Sequence, residues 1–151
     1  MAAIFDYLFE NQMSRQWRGL LAALADEFEA QIGRTELRQL MHRVGGRFAD
    51  AHAMPPCRST AELADALNTL WRDTDWGFVE LSDERDYMRI VHFCAPLPAF
   101  GESALAWTPA FLEGAYERWL STLGAKGLSL KQEGEFGDDA AIEFRLARGA
   151  G

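Results

Sequence analysis

The side chains best able to do chemistry in this 151-residue chain are three histidines, two cysteines and two knots of carboxylates. His42 and His52 share one side of a predicted helix, but at 1.5 Å rise per residue they stand about 15 Å apart, too far to hold one metal ion. His92 has no partner at metal-ligand spacing and reads as a residue that caps a hairpin or sits half-buried. Cys57 and Cys94 each lack a Cys or His neighbour at zinc-site separation, so no metal site is expected. Asp83, Glu84 and Asp86 gather in one turn, and Asp138 and Asp139 in another. A glycosidase needs two carboxyls facing each other across a sugar, about 5–9.5 Å apart. Neighbours in a turn do not provide that, and their ordinary role is solvation. Gly45-Gly46 lacks the lysine and the strand-to-helix setting of a phosphate loop. Ser59 and Ser103 carry no nucleophile signature. The chain reads as a non-enzyme with no cofactor.

Charge narrows the partners. The formal net charge is −8, and the isoelectric point is about 4.8. Nucleic-acid binding needs clustered Lys and Arg, as does docking on an anionic membrane, so neither is expected. Met1 to Tyr7 has no basic leader, and its apolar run is broken by Asp6, so no signal peptide is readable. No stretch approaches the roughly 20 apolar residues of a membrane span. The two cysteines stand in dissimilar contexts and read as reduced thiols. These features together predict a cytoplasmic protein of one domain, residues 1–151.

The elements that must position these side chains follow in order. Residues 1–13 form an arm carrying Ile4, Phe5, Tyr7, Leu8 and Phe9. Residues 14–73 hold three helices. Ser14 caps the first, with Trp17, Leu20, Leu21, Leu24, Phe28 and Ile32 at helical spacing, and Gly33 ends it. Thr35 caps the second, whose connection to the first is short enough to predict an antiparallel helical hairpin. Gly45-Gly46 inside that second helix costs about 1 kcal/mol per glycine relative to alanine, which close helix packing would offset. Ser59 and Glu62 have capping-box separation, and Leu63, Ala66, Leu67, Leu70 and Trp71 make the third helix's stripe.

Residues 74–148 alternate sheet and helix. A strand from Asp75 to Leu81 turns through Ser82–Arg85 and returns over Tyr87–Phe93. Gly77 inside it marks a bulge or a close backbone approach. The chain then stays irregular to Trp107. Thr108 suits a cap, Pro109 the first helical position, and Trp107 a staple onto Leu112. Phe111, Ala115 and Trp119 form one row of that helix, with Leu112, Tyr116 and Leu120 beside it. Leu128–Lys131 and Ile142–Leu146 form a second hairpin, and Ala147 to Gly151 reads as a frayed tail. The predicted fold is α+β: a helical hairpin plus a third helix, then β-hairpin, long helix and β-hairpin, with one small antiparallel sheet.

Asp75-Trp76-Gly77-Phe78-Val79, Met88-Arg89-Ile90-Val91-His92, Trp107 and Leu112-Glu113-Gly114-Ala115-Tyr116-Glu117-Arg118-Trp119, in this order and spacing, resemble the bacterial cellulose synthase operon protein D family. Val44-Gly45 and Pro55-Pro56 extend the match. The resemblance implies a non-catalytic accessory subunit that forms an octameric cylinder of dimers and guides or bundles nascent β-glucan chains. It implies further partners in the inner-membrane cellulose synthase complex and, in some members, a Pro-rich accessory protein. Glucan passes near the N-terminal segment in that family. The residues expected to line or border its path are therefore Phe5, Tyr7, Phe9, Gln12, Arg15 and Trp17, while Trp76, Trp107, Tyr116 and Trp119 are expected to be structural. A neutral polysaccharide asks for flat aromatic faces and neutral hydrogen-bonding groups. The competing readings are a ligand-sensing or adaptor domain holding a small apolar molecule between helix 107–122 and the sheet, and a scaffold that touches only proteins.

Overall fold

The structure, a computed structural model, describes residues 3, 6, 7, 10, 13–137 and 139–148. Three helices come first: α1 (Arg15–Gln31), α2 (Arg34–Ala51) and α3 (Thr60–Thr74). Strands β1 (Phe78–Asp83) and β2 (Met88–Phe93) follow, then two 3-10 turns (Leu97–Phe100 and Glu102–Ala106). Helix α4 (Ala110–Thr122) and strands β3 (Leu128–Glu133) and β4 (Ala141–Arg148) complete the chain. All four strands form one antiparallel sheet in the order β1-β2-β4-β3. The α+β fold with a single small sheet is as the sequence predicts. The two hairpins are fused through the β2–β4 pairing.

Side-chain caps explain where the helices begin. The Ser14 hydroxyl accepts from Gln16 N–H at 3.3 Å. Ser59 Oγ accepts from Glu62 N–H at 3.1 Å, and Glu62 reaches back to accept from Arg58 N–H at 2.7 Å, a capping box displaced by one residue. Two expected caps differ. Helix α2 starts at Arg34 after Gly33, so Thr35 lies in its first turn. Thr108 donates its hydroxyl to Ala104 O at 2.9 Å, and α4 begins after Pro109, because the preceding 3-10 turn already offers that hydroxyl an acceptor.

The region read as irregular before Trp107 is ordered and buries Leu97, Ala99 and Ala104. It also changes the packing of the N-terminal helices. Helix α1 lies along these 3-10 turns, while α2 crosses α4. The two helices are consecutive across Ile32-Gly33, but each finds its main partner elsewhere. The anchor is Glu29, whose carboxylate accepts from the Trp107 indole N–H at 2.7 Å and from Ser103 Oγ at 3.1 Å. Trp107 is buried, so Glu29→Ala leaves its N–H without a partner and is expected to cost about 1–2 kcal/mol. Glu29→Gln keeps an acceptor and should cost less. Urea unfolding curves of the two variants measure the difference.

The α2–α4 crossing is tight because glycines face it. A Cβ on Gly45 would run into the Phe111 carbonyl oxygen and lie 2.8 Å from Ala115 N; a Cβ on Gly114 would run into His42 O. Close packing is thus the role of the mid-helix glycine. Around it, Phe48, Trp71, Phe111, Tyr116 and Trp119 form an edge-on aromatic cluster, with ring centroids 5.3–6.2 Å apart for the edge-on pairs. Trp107, Tyr116 and Trp119 are core residues, and Trp76 is half-buried against them. The Trp119 indole N–H donates to His52 O at 2.9 Å and Ala49 O at 3.2 Å, satisfying carbonyls at the C-terminus of α2.

Both sheet edges are closed by side chains. On β1, Val79 donates to Asn68 Oδ1 at 2.7 Å and accepts from Asn68 Nδ2 at 3.0 Å. On β3, the Glu117 carboxylate accepts from Leu130 N–H and the Glu113 carboxylate from Gln132 N–H, each at 3.2 Å. An edge covered this way offers little to a passing strand. Gly77 at φ +79 places its α-carbon against Phe93 O, the close backbone approach the sequence suggested. Strand β4 continues through Ala147 and Arg148, paired with Ser129 and Leu128, so the tail read as frayed is strand to that point.

Candidate functional site

The one arrangement that looks catalytic lies in the core. His92 Nδ1 is 2.6 Å from Tyr116 Oη, and His92 Nε2 is 2.6 Å from Trp76 O. The Trp71 indole completes the chain at 3.0 Å from the same Tyr116 oxygen. Its ends fix its protons. An indole N–H only donates and a carbonyl only accepts. Trp71 therefore donates to Tyr116, Tyr116 to His92 Nδ1, and His92 Nε2–H to Trp76 O. Burial holds the imidazole neutral, lowering its pKa to about 4 against a smaller opposing push from the Trp76 carbonyl, and raises the Tyr116 hydroxyl well above its usual range. His92 is fully buried (0% exposed) rather than half-buried or capping a hairpin. No solute reaches this network, and its role is to satisfy polar groups inside the aromatic core.

Among the described residues, no group of three or more His, Cys, Asp or Glu side chains could hold a metal ion. Cys57 and Cys94 are free thiols. No helix among them is long and apolar enough to cross a membrane.

The accessible candidate surface is the outer side of α1 with the arm that precedes it. Tyr7 is 68% exposed, Trp17 53%, Leu20 53% and Leu24 41%. Of the residues expected beside glucan, Phe5, Phe9 and Gln12 lie outside the described residues. Tyr7, Arg15 and Trp17 are all exposed. Arg15 and Trp17 are two residues apart, roughly 200° around the helix axis, so they do not face the same way. Trp17 instead shares its side with Leu20 and Leu24. The sequence pattern marks this stripe as buried; the structure buries only its continuation, with Ala25 inside the core and Phe28 and Ile32 packed against it. Periodicity reports that a stripe needs a partner, not whether the partner belongs to the same chain.

A second polar region follows the α2–α4 crossing. Arg38 meets Glu113 at 3.4 Å, His42 meets Glu117 at 3.5 Å, and Arg118 meets Asp50 at 3.6 Å. Arg38 also donates to Ala106 O at 3.1 Å and to Gln132 Oε1 at 3.2 Å, at the rim of an open cleft of about 550 Å3 that includes Ser103 and Phe136. Burial pushes the Glu113 carboxyl up, opposed by Arg38 and the Gln132 N–H. These groups are spent on one another and on the sheet edge. They brace the crossing and provide no paired acid and base.

Comparison with known proteins agrees with the sequence resemblance. The family model that describes the D-type subunit of cellulose synthase matches residues 3–147. Cellulose synthase operon protein D from Komagataeibacter xylinus is 35% identical over 121 residues, covering 78% of this chain and 72% of that protein. The protein of the same name from Komagataeibacter sucrofermentans matches to the same extent. Among solved structures, a trafficking protein particle complex subunit 3 from Naegleria fowleri, covalently bound to palmitic acid, superposes with a TM-score of 0.57 at 13% identity. That match covers 87% of this chain and 92% of the other, and at such low identity it speaks to the fold alone. The chain belongs to the cellulose synthase operon protein D family, whose members serve bacterial cellulose synthesis.

Proposed function

We propose that the protein is a non-catalytic accessory subunit that assembles into a closed cylinder of dimers, eight chains in all, and guides β-glucan chains along its subunit boundaries. The observation that carries this reading is the exposed Trp17–Leu20–Leu24 stripe on a chain whose core is otherwise complete. An apolar stripe rimmed by charge marks an interaction surface. Two α1 helices packed antiparallel set each Leu20 against the other copy's Leu24, and bring the Arg15 end of one helix near the Asp26-Glu27 end of the other. Trp17 then lies at the border of that contact, beside the arm with Tyr7, where a flat ring is free to meet a sugar. The neutral, hydrogen-bonding character of cellulose suits this surface better than it suits the ion-paired α2–α4 crossing. The cellulose synthase inner-membrane complex is the natural larger partner, with a Pro-rich accessory protein a further one, and a cytoplasmic position accords with the acidic surface.

Leu24→Glu is expected to break the α1 contact while leaving the fold intact, because Leu24 contributes little to the core. Native mass spectrometry would then show smaller species than the parent. A parent chain that is monomeric at micromolar concentration would contradict the assembly. The rival reading, a small apolar ligand between α4 and the sheet, has no room in the observed packing: Tyr116, His92 and Phe144 already fill that layer, with Tyr116 and Phe144 ring centroids 6.1 Å apart.

A further inference from the structure

The outer face of the sheet is a second broad surface that no helix covers. Its side chains fall into rows across the strands. At one end Phe78 lies opposite Phe93, and their rings stack with centroids 4.9 Å apart. The next row is acidic: Glu80 opposite Val91, then Glu143 and Glu133 opposite each other. The row after it is basic, with Arg89 opposite Arg145 and Arg145 opposite Lys131. Tyr87 ends the face, its ring under the Arg145 guanidinium at 4.6 Å.

Like charges set directly opposite one another weaken a sheet. Glu143 relieves part of this by accepting from Arg89 at 2.9 Å and from Arg145 at 2.8 Å. Glu80, Glu133 and Lys131 make no ion pair among the described residues. The arrangement is costly for a lone chain, but it has one orientation in which it becomes favourable.

We infer that this face is a twofold contact with a second copy of the same chain. A twofold axis crossing the strands at Ile90 and Phe144 lays the acidic row of each copy on the basic row of the other. The same operation brings the Phe78–Phe93 end of one copy over the Tyr87 end of its mate. Three acidic and three basic side chains leave the face itself neutral, although the whole chain carries −8, so two copies meet here without net repulsion. Sheets stack about 10 Å apart, a gap that Arg, Lys and Glu side chains bridge from both sides. The inference rests on the assembly reading and extends it. A chain with two different self-complementary surfaces, α1 and this face, does not stop at two copies; alternating the two contacts closes a ring of dimers.

Charge reversal tests the register as well as the contact. Lys131→Glu alone and Glu133→Lys alone each set like charges against each other across the axis. Both positions are exposed, so the variants should fold as the parent does. Native mass spectrometry is expected to show each single variant reduced to two-chain species held by α1, and the double variant K131E/E133K, which restores complementarity, returned to the parent mass. Single variants that keep the parent mass would overturn the sheet contact while leaving the assembly reading in place. Single variants that keep the mass but lose cello-oligosaccharide binding would assign the face to polysaccharide instead. A monomeric parent would overturn both readings.

Discussion

Gly45→Ala is expected to lower stability by about 3 kcal/mol or more, the upper end of what overpacking costs. In an open helix the same change adds about 1 kcal/mol, because alanine is the better helix former. Here the sign reverses. The new methyl group meets the Phe111 carbonyl and the Ala115 amide, which are backbone atoms of α4 and cannot swing aside. Relief requires the two helices to separate, which opens the Phe48–Trp71–Trp119 cluster and pulls Glu113 and Glu117 off the β3 edge. Gly114→Ala should behave alike, since its methyl group meets His42 O from the other side. Gly46→Ala is the control. Its Cβ would sit 3.5 Å from the Arg118 guanidinium, an ordinary contact, so it should be neutral or stabilising by up to about 1 kcal/mol. Urea midpoints of the three variants separate these cases, and a Gly45→Ala protein as stable as the parent would refute the tight crossing.

The buried Trp71–Tyr116–His92 chain should make the fold acid-sensitive. The imidazole titrates near 6.5 when unfolded and at about 4 in the core. As pH falls below 6.5 the unfolded chain takes up this proton first, and the folded chain only near 4. The stabilisation is therefore full above pH 6.5 and is lost progressively down to about pH 4, a total of about 3 kcal/mol from this group. His92→Gln should lose stability at pH 7 and show a shallower fall between pH 6.5 and 4. Tyr116→Phe removes the hydroxyl that serves both neighbours, leaving the Trp71 N–H and His92 Nδ1 without partners. At about 1–3 kcal/mol for each buried orphan, roughly 3 kcal/mol is expected at neutral pH. Urea denaturation of parent and variants at pH 7 and pH 4.5 measures all three effects.

What is legible in the sequence is whatever depends on neighbours in the chain. The Ser14 and Ser59 caps, the two hairpins, the Trp71 stripe and the α+β class all follow from local spacing. The fusion of the hairpins through β2 and β4 does not, because nothing in either strand names its second partner. The separation of α1 from α2 is hidden for a related reason. A short connection suggests antiparallel packing, but the 97–106 segment, rich in Ala and Pro and without clear periodicity, supplies the actual seat through Trp107 and Glu29. His92 looks peripheral in the sequence because a histidine's burial depends on partners far along the chain, here Tyr116 and the Trp76 carbonyl. The candidate surface is legible only in part. Trp17 stands out by residue type, but the exposure of Leu20 and Leu24 beside it cannot be separated from core burial by pattern alone.

Division of labour follows from this arrangement. The aromatic middle of the chain, where the family resemblance is strongest, is scaffold; the exposed faces of α1 and the sheet are where partners fit. The most direct test is a calorimetric titration of cello-oligosaccharide into the assembled parent and into Trp17→Ala. Binding by the parent that weakens at least about tenfold in the variant, with the assembly's mass unchanged, is the predicted result. A parent that binds no cello-oligosaccharide, or a Trp17→Ala protein that binds it as well as the parent does, would contradict the account.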